Sequence, residues 1–467
     1  MTHSIGRCLP LPLLIFVLMG GCHSYHGAKL RREHAAEYPP ALRDETEGVL
    51  SQQDTLGLED CIRIAMANNL ETQSAALQER IAKLGRKIAF ANFLPAVSLS
   101  YSHYEFDPAI SLPLSETEPM NMDKARALLW SASVSVFSPA TWFLYGMHER
   151  GEEIAEWVVR YTRQMTAQQV TVLYFQCLTL EQVERSLAAE EEAAEALRSE
   201  VAALHQEGLV SGWQADQAAV YAQAQRAEMA RTQRLYQQAK SALLAAMGLS
   251  PLADVTLASE TPIEAPAGSL EELILEAMLC HPSLHIADRR IAIEEEKVKL
   301  AIADFLPVLG AFAYRPDALG TSLLPSNQWI YGLAGTLTLF DGFANINEYK
   351  AARERQEQAF IEREQATLAL MLAVIRAQQN VETAQDQLDL AERAMDVASR
   401  RYAETQEKWK EGLVDSVEIL QGAAERAKAQ MQVLAARFQH QVAAATLLNA
   451  MGKTETDIEE HEHEGQS

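Results

Sequence analysis

Basic residues are scarce in this 467-residue chain, where 40 Lys and Arg stand against 64 Asp and Glu for a net charge of −24. That balance excludes a nucleic-acid partner, because phosphate binding needs Lys and Arg to displace counterions. Cysteine is scarcer still, at five residues. Cys61, Cys177 and Cys280 each stand alone in a helical pattern, and they read as buried small apolar residues rather than disulfides or ligands. After the leader, no apolar run reaches 18 residues, so no ordinary transmembrane helix is expected. A Gly-rich phosphate loop, a nucleophile elbow and zinc-ligand spacing are all missing, which leaves an enzyme without support and no cofactor or metal expected. What remains is a folded composition, 48% hydrophobic and 22% charged, in a chain too long for one ordinary compact domain. The acidic excess fits solvated helix faces, or a water-filled interior that favours cations.

The first 21 residues read as a leader. Arg7 precedes an apolar stretch from Leu9 to Met19, too short to span a bilayer, and Gly20-Gly21-Cys22 follows. This is similar to a bacterial lipoprotein cleavage site, in which Cys22 becomes the lipid-bearing N-terminus. Met19 stands where Leu is usual, and plain secretion with cleavage elsewhere is the other reading. The retention signal of inner-membrane lipoproteins is an aspartate after the cysteine; here His23 follows, which points to the outer membrane.

The chain is written twice. Leu58-Glu59-Asp60 opens a helical stretch ending at Phe93-Leu94-Pro95, and Leu270-Glu271-Glu272 opens another ending at Phe305-Leu306-Pro307, with both ends displaced by 212 positions. Glu207-Gly208-Leu209-Val210 recurs as Glu411-Gly412-Leu413-Val414, and Ala246-Met247-Gly248 as Ala450-Met451-Gly452, now displaced by 204. The change in spacing falls after the Leu-Pro motif, where a surface loop can absorb it.

Each half reads as helix, strand, loop, strand, long helix, short loop, helix. Val97, Leu99 and Tyr101 alternate with Ser98, Ser100 and Ser102; Trp130, Ala132, Val134 and Val136 alternate with Ser131, Ser133 and Ser135. In the second half Trp329, Tyr331, Leu333, Leu337 and Leu339 alternate with small residues, and Val308 to Tyr314 is apolar on both faces. Period two marks strands with two different environments, and the leading aromatics fit a girdle at a membrane surface, although a strand half buried on a soluble core has the same pattern. Four strands cannot close a barrel, and open edges are not tolerated in hydrocarbon, so strands in lipid would have to be pooled from several copies. Two long helices, about Thr141 to Gln206 and Ala344 to Lys410, would each reach on the order of 100 Å. The flanking helices, 58–92, 213–247, 270–303 and 416–450, are about half as long. Leu370, Val374, Ala377, Val381, Ala384, Leu388, Ala391, Met395, Ala398 and Tyr402 form a heptad seam. A matching seam runs from Leu173 to Leu204, interrupted by Gln176 and Glu190.

The opening Leu-x-Leu-Glu-Asp-x-Ile-x-x-Ala with Asn68-Asn69, the Phe-Leu-Pro strand starts, Leu337-Thr338-Leu339-Phe340-Asp341-Gly342 and the two Gly-Leu-Val tips resemble the TolC-like outer-membrane factors, over residues 56–452. Phe137-Ser138-Pro139-Ala140 departs from the Phe-Asp-Gly pattern. The resemblance implies a mainly α fold with a small β part: antiparallel helical hairpins forming a trimeric α-barrel, with four strands per chain in a shared transmembrane β-barrel. It implies an outer-membrane export channel, lipid-anchored, whose helical tube crosses the periplasm to a periplasmic adaptor and an inner-membrane pump, expected to be proton-driven. The expected divisions are a signal peptide 1–21, an anchor and linker 22–55, a first repeat 56–248, a linker 249–268, a second repeat 269–452 and an acidic, His-containing disordered tail 453–467.

Under the same resemblance, Gly208, Leu209, Val210, Gly412, Leu413 and Val414 are the periplasmic tips, with glycine serving a tight turn and the exposed apolar pair an adaptor contact. Glu418 and Gln421 fall where the family carries the acidic residues of the closed aperture; spaced three apart they share a helix face, and Gln421 is a departure. Glu418 is otherwise a solvated helix residue. Trp409 and Asp415 are further candidates for bonding at the tip. His281 and His285 suggest a metal, but His281 occupies the repeat position of Asn69 and reads as a helix cap. The tail Glu459-Glu460-His461-Glu462-His463-Glu464 reads as a solvated terminus before a weak metal site. A non-channel coiled-coil protein of the envelope and a periplasmic adaptor are the rival classes.

Overall fold

The computed structural model describes residues 27–51, 55–113, 119–258, 263–318 and 328–453; Cys22 and the acidic tail lie outside them. Helix α1 (Gly27–Leu50) leads into α2 (Leu58–Asn68) and α3 (Leu70–Ala91), strands β1 (Ala96–Pro113) and β2 (Pro119–Phe137), and helices α4 (Pro139–Gln206) and α5 (Gly212–Ala246). The second half repeats the order as α6 (Leu270–Cys280), α7 (Pro282–Ala303), β3 (Val308–Ala318), β4 (Ile330–Thr336), α8 (Ala344–Lys410) and α9 (Ser416–Ala450). Both long helices fall where the uninterrupted helical composition put them.

The helices expected over 58–92 and 270–303 are each two helices, broken at Asn69 and at His281. The Asn69 side chain accepts from the backbone N–H of Glu71 at 2.9 Å and of Thr72 at 3.0 Å, which caps α3. His281 caps α7 in the same way, its Nδ1 accepting from Ser283 N–H at 3.2 Å, and Pro282 has no N–H with which to continue α6. The recurring Ala-Met-Gly motif serves these breaks. Gly248 has φ +76, and a Cβ on it would lie 2.2 Å from Asn68 O; Gly452 has φ +80, and its Cβ would lie 2.8 Å from His281 Cα. Helix α5 therefore ends against the α2–α3 break, and α9 against the α6–α7 break.

Around these junctions sits the main core, where Tyr174 is fully buried and donates its hydroxyl to Ala258 O at 2.6 Å, beside a parallel bridge from Leu56 to Leu257. Helix α1 was not expected in the 22–55 stretch; Thr46 anchors it there, its hydroxyl accepting from Ser250 N–H at 2.9 Å. Cys61 and Cys177 are buried, but Cys280 is exposed at the last residue of α6, which corrects the reading of all three as buried.

Towards the strands, α3 packs on α4, α4 on α7 and α7 on α8; away from them, α5 packs on α4, α4 on α9 and α9 on α8. Each layer is thus four helices wide, with α3 and α5 in series along one border and α8 along the other. The α8 seam is inside, with Leu370, Val374, Ala377, Ala384 and Ala391 buried. Glu190, an interruption in the α4 seam, is also buried, because Arg426 of α9 forms an ion pair with it.

The strands form one antiparallel sheet in the order β1-β2-β3-β4. The first hairpin is longer than the alternation suggested, so Trp130 lies mid-strand and is not the strand's first residue. Strand β4 is shorter: it ends at Thr336, and Leu337 to Leu339 lead into a left-handed turn at Gly342 and Phe343. The first half needs no such turn because Pro139 stands at the first position of α4, its fixed φ already helical.

Candidate functional site: sheet faces, helical borders and tips

Register decides what each face of the sheet carries. Val97 pairs with Ala132, Leu99 with Trp130 and Tyr101 with Leu128; Ala132 meets Ala313, which meets Tyr331, and Val134 meets Ala311, which meets Leu333. These side chains share one face, and nothing among the described residues covers it: Tyr331 is 80% and Leu333 78% exposed. Leu128 to Val134 spans about 20 Å along its strand. Exposed aromatics at the helix junction, Trp142, Phe340 and Phe343, extend the apolar height toward the ~25 Å band of outer-membrane barrels. Beyond Tyr101 and Leu128 the same face turns polar at His103, Glu105, Lys124 and Arg126, with Lys124 and Glu105 2.8 Å apart. On β3, Arg315 stands opposite Trp130 and is neutralised by Asp317 at 2.9 Å.

The other face carries Ser98, Ser100, Ser102, Ser131, Ser133 and Ser135, with the Ser98 and Ser131 hydroxyls 2.7 Å apart. Phe312 and Tyr314 stack over this face beside Gly332, where a Cβ would lie 3.1 Å from the Phe312 ring. One sheet therefore has an uncovered apolar side and a hydroxyl-rich side. Its outer strands, β1 and β4, have no second neighbour among the described residues.

The helical borders below those two strands also carry uncovered apolar seams. On α3, Leu70, Leu77, Ile81, Leu84 and Ile88 are exposed at spacings of seven, four, three and four. On α8, Ile361, Leu368 and Leu372, then Leu390 and Val397, are exposed on the side away from its buried seam. Heptad spacing on a solvated face is the mark of a missing helical partner.

At the opposite end each hairpin turns through a left-handed glycine, Gly208 at φ +77 and Gly412 at φ +70. The turn is closed by Leu209 N–H to Leu204 O at 2.9 Å in one hairpin and by Leu413 N–H to Lys408 O at 2.8 Å in the other. Leu209 and Leu413 each remain 68% exposed, while Val210 and Val414 are half-buried. Asp415 caps α9, accepting from Val417 and Glu418 N–H at 3.0 Å each. Glu418 and Gln421 lie together on the exposed side of α9, opposite buried Ile419 and Leu420. The Lys408 ammonium is held above its ordinary range by its bond to Glu404 and, more weakly, by the nearby Glu418.

Two contacts tie the hairpins together above the tips. Trp409 Nε1 donates to Glu200 at 3.1 Å. Higher up, Arg426 lies over the Tyr402 ring at 4.6 Å and pairs with Glu190. Tyr221 completes that cluster; burial, then Glu190, push its phenol up to about 12. Sequence reasoning singled out Trp409 but missed Arg426, whose only trace was the charged residue interrupting the α4 seam. Among the described residues no group of three or more His, Cys, Asp or Glu could hold a metal, and no helix is long and apolar enough to cross a membrane.

Residues 273–453 match the family model described as outer membrane efflux protein. Against solved structures, the chain superposes on the channel CusC with a TM-score of 0.74 at 17% identity, covering 86% of this chain and 94% of that one. The Campylobacter jejuni CmeC outer membrane channel gives 0.73 at 17% identity, over 86% and 88% of the two chains. The Vibrio cholerae outer membrane protein VceC gives 0.73 at 17%, over 85% and 96%. This is the outer membrane efflux protein fold. No curated protein sequence matches the chain. The family match covers the second repeat, yet the first repeat builds the same fold with its own cap at Asn69 and its own helix start at Pro139.

Proposed function

We propose that this chain is one protomer of a trimeric outer-membrane export channel that receives substrate from an inner-membrane pump through a periplasmic adaptor. The carrying observation is that both layers end on unfinished borders on the same two sides. Strand β1 lies open above the exposed α3 seam, and β4 lies open above the exposed α8 seam. The two borders differ, so the contact that satisfies them is head-to-tail, and a head-to-tail contact makes a ring where its rotation closes. Three copies supply twelve strands, above the roughly eight needed for closure. The apolar face then meets lipid and the serine face lines a water-filled lumen.

The mechanism is gated passage without chemistry. Glu418 and Gln421 of three protomers ring the narrow end of the tube, where a carboxylate ring favours cations. The exposed Leu209 and Leu413, one at each tip, supply apolar anchors for the adaptor. The pump is inferred to be proton-driven and the anchor to be a lipid on Cys22, on the leader sequence and the family resemblance. A coiled-coil protein of the envelope has no use for an unclosed sheet with an uncovered apolar face, and an adaptor carries one helical hairpin where this chain has two.

Outer-membrane detergent extracts should yield a trimer of the chain that begins at Cys22. Ile81→Glu with Leu84→Glu, both at positions exposed within the protomer, should dissociate it, since each apolar side chain buried at the contact contributes about 1.5–3 kcal/mol. A water-soluble monomer from wild-type cells would refute the proposal.

A further inference from the structure

A cavity of about 570 Å³ opens where α2, α4 and the α6–α7 break meet, far from the sheet and the tips. Its apolar wall is Ile62, Met66, Ala167 and Leu279. Two guanidiniums line it, Arg160 and Arg163, and neither has a carboxylate partner among the described residues. Arg160 lies over the Trp157 ring at 4.4 Å, and His285 stacks on the same indole at 3.9 Å, so the ring fixes the guanidinium in place. No Asp or Glu lines the cavity.

The cavity thus presents two guanidiniums, one of them fixed on an indole, and an apolar wall, within the size range of small-ligand pockets.

We propose that this cavity binds a small amphipathic organic anion: an apolar body against Met66 and Leu279, and a carboxylate or sulfonate on Arg160 and Arg163. The site is built within one protomer and stands independently of the channel reading.

The test uses the full-length protein in neutral detergent, with salicylate as probe and calorimetry as readout. Salicylate binds saturably, and phenol at least tenfold more weakly because it lacks the charge. Arg163→Gln and Arg160→Gln, both surface-accessible and so compatible with folding, each weaken salicylate tenfold or more, the usual scale for a charge-assisted bond. Trp157→Phe keeps binding but loses the accompanying change in tryptophan fluorescence. Three results would overturn the proposal: no saturable binding, binding indifferent to both arginine substitutions, or binding that emerges only after deletion of residues 454–467, which would assign the arginines to the chain's own carboxylates.

Discussion

Replacing Arg426 with Met tests whether the tie between hairpins holds the tube's narrow end shut. The Glu190 side chain is 8% exposed and that of Arg426 30%. Removing one partner of a fully buried pair costs about 3–5 kcal/mol, because the remaining charge is stranded. Water reaches the arginine side, which roughly halves that figure to about 2 kcal/mol per protomer. At ~1.4 kcal/mol per tenfold, the balance between joined and separated hairpins shifts about 30-fold in each protomer. The repeat supplies an internal control: 204 positions before Arg426 stands Ala222, and 204 after Glu190 stands Ala394, so the equivalent contact in the other half has no such tie. Single trimers of Arg426→Met in planar bilayers should therefore show more frequent and larger openings than wild type. Glu190→Met added to Arg426→Met removes the stranded charge and should recover at least about 1 kcal/mol in a double-mutant cycle. The reasoning fails if Arg426→Met conducts like wild type, or if the double variant is as leaky as the single.

Glu418→Ala should lower cation over anion selectivity in the same bilayers, with little change in trimer stability because Glu418 is exposed; unchanged reversal potentials would remove it from the aperture. Gly248→Ala combines φ +76 with a Cβ 2.2 Å from Asn68 O, so it should lower the urea midpoint by the equivalent of about 2 kcal/mol or more, whereas Gly151→Ala, with open space around it, should not lower it.

The long helices, the seams and the repeat were legible because each depends on local periodicity, which sequence carries directly. The helix breaks at Asn69 and His281 were harder. An Asn-Asn pair and a His-Pro pair share no residue type, and what unites them is the glycine of Ala-Met-Gly, 179 residues away from Asn69 and 171 from His281. Strand ends were misplaced for a different reason. Alternation continues through Leu339, but pairing with β3 stops at Val308, so Leu337 and Leu339 have the pattern of a strand and no partner. The tips and the Glu418–Gln421 face came from resemblance plus helical spacing. The Arg426–Glu190 tie came from neither, since it joins residues 236 positions apart across hairpins whose order in the layer only the fold reveals.

The two caps also differ in one property that duplication makes testable. Asn69 cannot titrate, but His281 must keep Nδ1 unprotonated to accept from Ser283, at the positive end of α7. Burial, with a smaller push from neighbouring His285, holds its pKa below the ordinary 6.5. The sign follows from proton counting. Above about pH 6.5 the ring is neutral whether the chain is folded or not, and the cap's contribution is complete. As pH falls below that, the unfolded chain takes up a proton that the folded chain refuses, so stability drops by up to ~1.4 kcal/mol per pH unit until the lower folded-state pKa is passed. His281→Asn copies the cap of the first repeat and should erase this component, leaving a variant about as stable as wild type at pH 8 and more stable at pH 5. His281→Ala should instead cost about 1 kcal/mol at pH 8, from loss of the cap. Urea midpoints of the three proteins between pH 5 and 8 decide the matter: a wild-type minus His281→Asn difference that stays constant across that range means that ring neutrality has no part in holding the α6–α7 break.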